Sequence, residues 1–193
     1  MSGQAGQSSR LKTRENRGRR TGYWSAAPVR AVSLLLALLL SLSTVAAPEA
    51  RADAFAGGAR AYSRQDYPLS ARIFLPIAQQ GDPRAQAYIG VMYLRGQGVP
   101  QNFDAAAYWL HLASQSGLPT AQYFLGLMYD KGQGVAQDFV LAHAWLNIAV
   151  AHAEPKLRRR WVLIRDAIAS KMSEAQLAEA RRLAYGWRPG PPW

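Results

Sequence analysis

The sequence contains no cysteine. That excludes structural disulfides, thiolate zinc sites, a lipid-bearing amino-terminal Cys and a cysteine nucleophile, so the folded part must stand on its core alone. Acidic residues are scarce, 12 Asp and Glu against 23 Lys and Arg. Those after residue 52 are scattered, with no paired carboxylates placed for general acid–base work. Histidine occurs three times, as His111, His143 and His152. Their spacing matches no ligand motif, so they read as surface or satisfied histidines, with no metal and no cofactor to hold. No Gly-x-Ser-x-Gly is present, and the one Ser-x-x-Lys, Ser9 to Lys12, lies far forward of any folded segment. With no nucleophile and base in evident reach of each other, the chain reads as not an enzyme.

Positive charge, by contrast, is plentiful and unevenly spread. Residues 1–52 hold eight basic residues against Glu15 and Glu49, a net +6 of the formal +11. The sequence pI of about 10.4 therefore describes mainly this front segment and gives no reason to expect a nucleic-acid partner. The basic stretch runs into the apolar Ala31–Ala47 and then into Ala50-Arg-Ala52. Charge, apolar run and small-residue site in that order are the pattern of a secretory signal, with cleavage expected before Asp53. The positive region is longer than usual, which leaves open a start downstream of Met1. The alternative is an uncleaved membrane anchor, since 17 apolar or small residues are at the short edge of what spans a bilayer. The expected location is periplasmic or secreted, or anchored to the inner membrane and facing the periplasm. Contact with a membrane is expected only through that segment.

What the chain has in quantity is self-similarity. Shifted by 36 residues, Ala85–Pro119 lies on Ala121–Pro155 with 16 identities in 35 positions. Among them are Ala85/Ala121, Gln86/Gln122, Gly90/Gly126, Met92/Met128, Gly96-Gln-Gly-Val99 with Gly132-Gln-Gly-Val135, and Trp109/Trp145. Each unit reads as two helices. Asp82 suits an N-cap and Pro83 a first helical position. Apolar residues then recur at helical spacing through Ala85, Ile89, Met92 and Tyr93. Gly96 and Gly98 end the helix, Asn102 or Asp138 caps the next, and Gly117 ends that one. Gly90 and Gly126 sit mid-helix, which implies close approach of a partner helix, with Tyr or Trp covering the gap. The glycine-rich turns are not phosphate loops, since no Lys-Ser/Thr follows and no strand precedes them.

The organisation expected is a leader or anchor over 1–52, a degenerate first repeat over 53–82, and full repeats over 83–118 and 119–154. Capping helices follow over 155–185, then a flexible tail over 186–193. In the degenerate unit Ala71, Phe74, Leu75 and Ala78 reproduce the spacing of Ala106, Trp109, Leu110 and Ala113. An atypical end unit is expected where a stack meets water. Ser173 with Gln176 carries a capping-box signature. Arg158–Arg160, with Lys156 and Arg165, form a basic face beside Trp161 that reads as a solvated helix face rather than a lipid-binding one.

The pattern Ala-Gln-x-x-(Ile/Leu)-Gly-x-Met-Tyr, then Gly-Gln-Gly-Val, then Ala-x-x-Trp-Leu-x-x-Ala resembles the Sel-1-like repeat (SLR) family, a branch of the tetratricopeptide superfamily. The resemblance spans about residues 54–155. It implies an all-α, right-handed α-solenoid of antiparallel helix pairs, and a non-enzymatic adaptor or scaffold that binds another protein or peptide. Some exported members are cysteine-rich and described as β-lactam hydrolases; the lack of cysteine here weakens any transfer of that activity. The resemblance also implies a concave groove lined by the first helix of each unit. On that face lie Arg84, Ala87, Val91 and Leu94, with counterparts Thr120, Tyr123, Leu127 and Asp130. Arg95 and Lys131 flank them and offer charge to an acidic ligand. Val91 and Leu127 have a second reading as packing residues between units. An envelope hydrolase and a self-associating structural subunit are the alternative functions.

Overall fold

The computed structural model describes residues 51–189. Nearly all of the expected leader, and the last four residues, lie outside them. The described part comprises eight helices and no strand: α1 (51–63), α2 (Tyr67–Gln79), α3 (Pro83–Arg95), α4 (Phe103–Gln115), α5 (Pro119–Lys131), α6 (Phe139–Ala151), α7 (Pro155–Ala169) and α8 (Glu174–Gly186). The expected cleavage point before Asp53 falls inside α1, and Arg51 on its far side donates to the Gln80 carbonyl, 3.0 Å. None of the described helices is long and apolar enough to cross a membrane.

Short connections turn successive helices back on one another, and from α2 to α7 each packs on the next, α3 on α4 and α5 on α6 most extensively. The result is the all-α solenoid of helix pairs expected from the repeat. Helix starts follow local chemistry. Asp66, Asp82, Asn102 and Asp138 each accept a hydrogen bond from a backbone N–H of the first turn, and Ser173 and Gln176 form a reciprocal capping box. These caps answer amides that the helix itself cannot pair. The apolar stripes close over Phe74, Ile89, Met92, Leu110, Leu125, Met128 and Leu146, all fully buried. Each such side chain contributes roughly 1.5–3 kcal/mol relative to remaining in water.

The repeated polar residues have distinct structural tasks. Gln86 Nε2 donates to the Ala78 carbonyl and Gln122 Nε2 to the Ser114 carbonyl, tying each first helix to the preceding unit. Gln101 and Gln137 donate to the carbonyls of Leu94 and Asp130, which lie at the open ends of α3 and α5. In the glycine pair, the first residue adopts the left-handed cap, φ 67° at Gly96 and 65° at Gly132. The second has a different role. A Cβ on Gly98 would lie 2.7 Å from Pro68 N and nearer still to the Tyr67 carbonyl; one on Gly134 would meet the backbone of Phe103 and Asp104. This glycine therefore lets the turn of one unit rest on the backbone that begins the second helix of the unit before.

Two expectations are corrected. At Gly90 and Gly126 the partner helix does approach closely, but leucine occupies the space, not Tyr or Trp: an added Cβ would come within 2.6 Å of Leu110 Cγ and 2.8 Å of Leu146 Cγ. The expected tail, 186–193, begins inside α8 and against α6. Gly186 is the last residue of α8, and Trp187 packs edge-on against Trp145 with ring centroids 6.1 Å apart. Trp187 and Pro189 then lie beside Gly117, in the turn after α4. The apolar rings of Trp145 and Trp187 cover part of each other's surface, which draws the start of this Gly/Pro-rich segment onto α6. Residues 190–193 lie outside the described part. Both α7 and α8 pack on α6, so the last full unit is covered from two sides.

Candidate functional site

The first helices of successive units, α1, α3 and α5, border an open cavity of about 440 Å³. Its floor is α3, where small Ala87 and Val91 leave room above the backbone. Phe55 and Tyr62 of α1 form one wall, and Thr120 and Phe124 of α5 form the other. Tyr88 braces the first wall. It stacks on Phe74 at 4.6 Å and 14°, and meets Tyr62 and Phe55 edge-on at 5.0 and 6.0 Å. Such aromatic contacts add about 0.5–1.5 kcal/mol each beyond their burial and hold the wall in one geometry.

Charge enters from both ends of α3. The Arg84 guanidinium lies over the Phe55 ring at 4.1 Å, and that of Arg95 over Phe124 at 5.5 Å. Arg84 also pairs with Asp82 at 3.1 Å. Burial pushes the Asp82 carboxyl up, but the hydrogen bonds and charge of Arg84 and the amide of Ala85 outweigh it, leaving it below its usual range. Burial raises the hydroxyl groups of Tyr62 and Tyr123, opposed at both by the positive charge of Arg95 and at Tyr123 also by Arg160. Both phenols therefore stay neutral donors beside fixed cations.

Of the ten residues expected on this face, Arg84, Ala87, Val91, Arg95 and Thr120 line the cavity. Val91 does so from a largely buried position in the core shared by α3, α4 and α5, so its two readings are compatible. The other five are elsewhere. Leu94 packs into that same core. Tyr123 is buried beneath the Trp161 ring of α7, stacked at 4.7 Å and 13°. Leu127 packs in the apolar cluster that Trp161 joins. Asp130 accepts from Lys171 at 2.9 Å, which occupies its carboxylate, and Lys131 is exposed at the end of α5, away from the cavity. One cause accounts for Tyr123 and Leu127: side chains of α7 cover the face of α5 that the sequence offered as the second half of the groove.

Residues 83–118 and 119–152 match the family model described as the Sel1 repeat. The chain carries two Sel1 repeats. Its structure is similar to that of a protective antigen of uropathogenic Escherichia coli with an SLR fold, at TM-score 0.63 and 28% identity over 69% of this chain. It also matches a Sel1 repeat protein from Oxalobacter formigenes, 36% identical over 47% of the chain, TM-score 0.45. The chain spans only 29% and 26% of those two structures. No curated protein matches the sequence significantly. Sel1 repeats typically act as protein-interaction scaffolds and are generally non-catalytic.

Sequence reasoning missed Phe55, Tyr62, Tyr88, Leu118 and Phe124. Tyr88 and Phe124 stand at equivalent positions of the two Sel1 repeats, and Phe55 and Tyr62 are seven residues apart, on one helical face. Tyr88 and Phe124 lie one residue beside the stripe that carries Ala87 and Tyr123, and Phe55 and Tyr62 lie ahead of the two full repeats. A larger cleft, about 650 Å³, runs past Asp104, Tyr108 and His111 beside α4. Its lining is more polar, and no pair of like charges converges on it. Among the described residues no His, Asp or Glu cluster could hold a metal. His152 Nδ1 meets the Ile148 carbonyl at 3.1 Å, while His111 is half-buried near Trp145. His143 departs from the expectation: it is buried in α6 and its Nδ1 has no partner.

Proposed function

We propose that this Sel1-repeat protein is a non-enzymatic adaptor that holds a protein partner in the groove between α1, α3 and α5. The observation that carries the reading is contrast along one face. Where the second repeat has Tyr123, the protein's own Trp161 fills the position; where the first has Ala87, an apolar cavity stands open. An open apolar groove rimmed by charge, beside the equivalent face of the next unit already closed from within, is what a partner-binding site requires. The partner is a protein or peptide. Residues 1–52 act as an export signal or anchor, which places the adaptor in the envelope or outside the cell.

Val91 is buried against α5, so a charged residue there would damage the fold along with the groove. Thr120 is exposed and lines the cavity, which makes it the better probe. A photocrosslinking residue at Thr120 is expected to capture one partner in envelope extract, while the same residue at exposed Tyr108 does not. Thr120→Trp, which fills the groove, abolishes the capture. Equal capture from both positions would defeat the groove reading, and recovery of a second copy alone would favour a structural subunit. Turnover of β-lactam or cell-wall substrate by the purified protein would favour the hydrolase. Cell fractionation and the mass of the exported chain test the leader.

A further inference from the structure

Two of the ten residues lining the groove are arginines and none is acidic. Their placement is specific. Arg84 and Arg95 stand at the two ends of α3, eleven residues apart, which at the helical rise is about 16 Å. Each holds its guanidinium carbon over an aromatic ring, at 4.1 Å for Arg84 and 5.5 Å for Arg95. Contact through the face leaves the edge of the group for hydrogen bonds; on Arg84 the edge donors Nε and Nη2 are given to Asp82, at 3.4 and 3.1 Å, and Nη1 remains. Arg84 shares its charge with Asp82, whose carboxylate also accepts the amides of Arg84 and Ala85 at the head of α3. Arg95 pairs with no carboxylate among the described residues.

Between the two cations the cavity is apolar, and the protein itself displays what suits such a place. One unit further on, an aromatic ring, that of Trp161, lies on the same face with its neighbour Arg160 near the Tyr123 hydroxyl. In the first unit the small side chain of Ala87 leaves that volume vacant.

Resting on the groove reading above, we infer that the occupant is an acidic peptide segment with a central aromatic side chain. The ring enters between Phe55 and Phe124, and carboxylates on either side of it reach Arg84 and Arg95. An extended chain advances about 3.3 Å per residue, so the two carboxylates are about five residues apart. Charge complementarity points to a separate partner. The chain's own residues 1–52 carry a net +6 and would be repelled by both arginines.

The test is selection of a randomised nine-residue peptide library against the full chain and three variants, Arg95→Glu, Arg84→Glu/Arg95→Glu and Thr120→Trp, each first checked for unchanged helicity. The wild type is expected to enrich peptides with one aromatic residue flanked by Asp or Glu four to six positions apart. Arg95→Glu is expected to weaken them by about tenfold or more. The double variant is expected to select Lys or Arg at those positions instead, a swap that a merely structural role would not produce. Acidic peptides whose binding survives Arg95→Glu would be reading the basic leader, and would overturn the inference. So would the absence of any enriched motif. Apolar peptides lost with Thr120→Trp but indifferent to Arg95→Glu would overturn the charge assignment while leaving the groove as the binding site. Enrichment indifferent to Thr120→Trp would defeat both.

Discussion

The Trp161 ring of α7 lies nearly parallel to the Tyr123 ring of α5, centroids 4.7 Å apart at 13°. This contact closes one half of the face that the repeat pattern presents and seats α7 on the solenoid. Removing a buried tryptophan leaves a cavity costing about 3–5 kcal/mol. Trp161→Ala is therefore expected to lower the urea midpoint strongly and to expose Tyr123. Solvent quenching of tyrosine fluorescence and the denaturation curve check this together. A variant as stable as wild type would mean that α7 does not depend on the stack.

The two glycines of each turn are expected to differ in consequence. Gly96→Ala adds a side chain at φ 67° with its nearest neighbour, Gln101 Cβ, at 3.3 Å. It loses about 1 kcal/mol from the left-handed conformation. Gly98→Ala meets the backbone of Tyr67 and Pro68, which cannot yield as a side-chain tip can, and should cost about 3 kcal/mol or more. Equal losses in thermal or urea unfolding would contradict the close approach between units.

Stability should fall in mild acid because of His143. Burial lowers its pKa, helped by the positive charges of Arg165 on α7 and Arg181 on α8 and opposed by Asp166. A histidine with a depressed folded pKa takes up its proton more readily when unfolded. Its stabilising contribution is thus complete above the ordinary value near 6.5 and is lost as pH drops below it. His111, lowered by burial alone, acts with the same sign. Urea midpoints should hold steady from pH 8 to 7 and decline toward 5.5, with a shallower decline in His143→Gln. An unchanged slope in that variant would assign the effect to other groups.

Trp187→Ala tests the seating of the tail. Losing its half-buried ring against Trp145 is expected to cost about 2 kcal/mol and to raise the exposure of the Trp145 indole, which is only 8% exposed. Wild-type stability in this variant would return the tail to a loose appendage.

Much of this was legible in the chain. Caps such as Asp82 and Asn102, the helix-ending Gly96 and Gly132, and the stripe through Ala85, Ile89 and Met92 depend on chemistry within a few residues. A 36-residue period states how often that chemistry recurs. The acid-poor, cysteine-free composition likewise bore on function class without any coordinates. Arg84, Ala87, Val91 and Arg95 share one side of α3 because helical geometry places them there; that Thr120 of α5 lines the same cavity is a matter of packing between helices.

What no local pattern contained was which unit would be covered and by what. Leu110 rather than an aromatic filling the space at Gly90, α7 placing Trp161 over Tyr123, and Trp187 returning to Trp145 are contacts between distant segments. The helices, their period and the residue types on each face could be read along the chain, since these follow from backbone geometry and side-chain polarity. That Tyr123 is buried while Ala87 stays at the floor of an open groove follows from how distant segments pack. Both lie on the same face of their helices, and the difference is made by whether a side chain from another segment finds room and apolar surface to occupy.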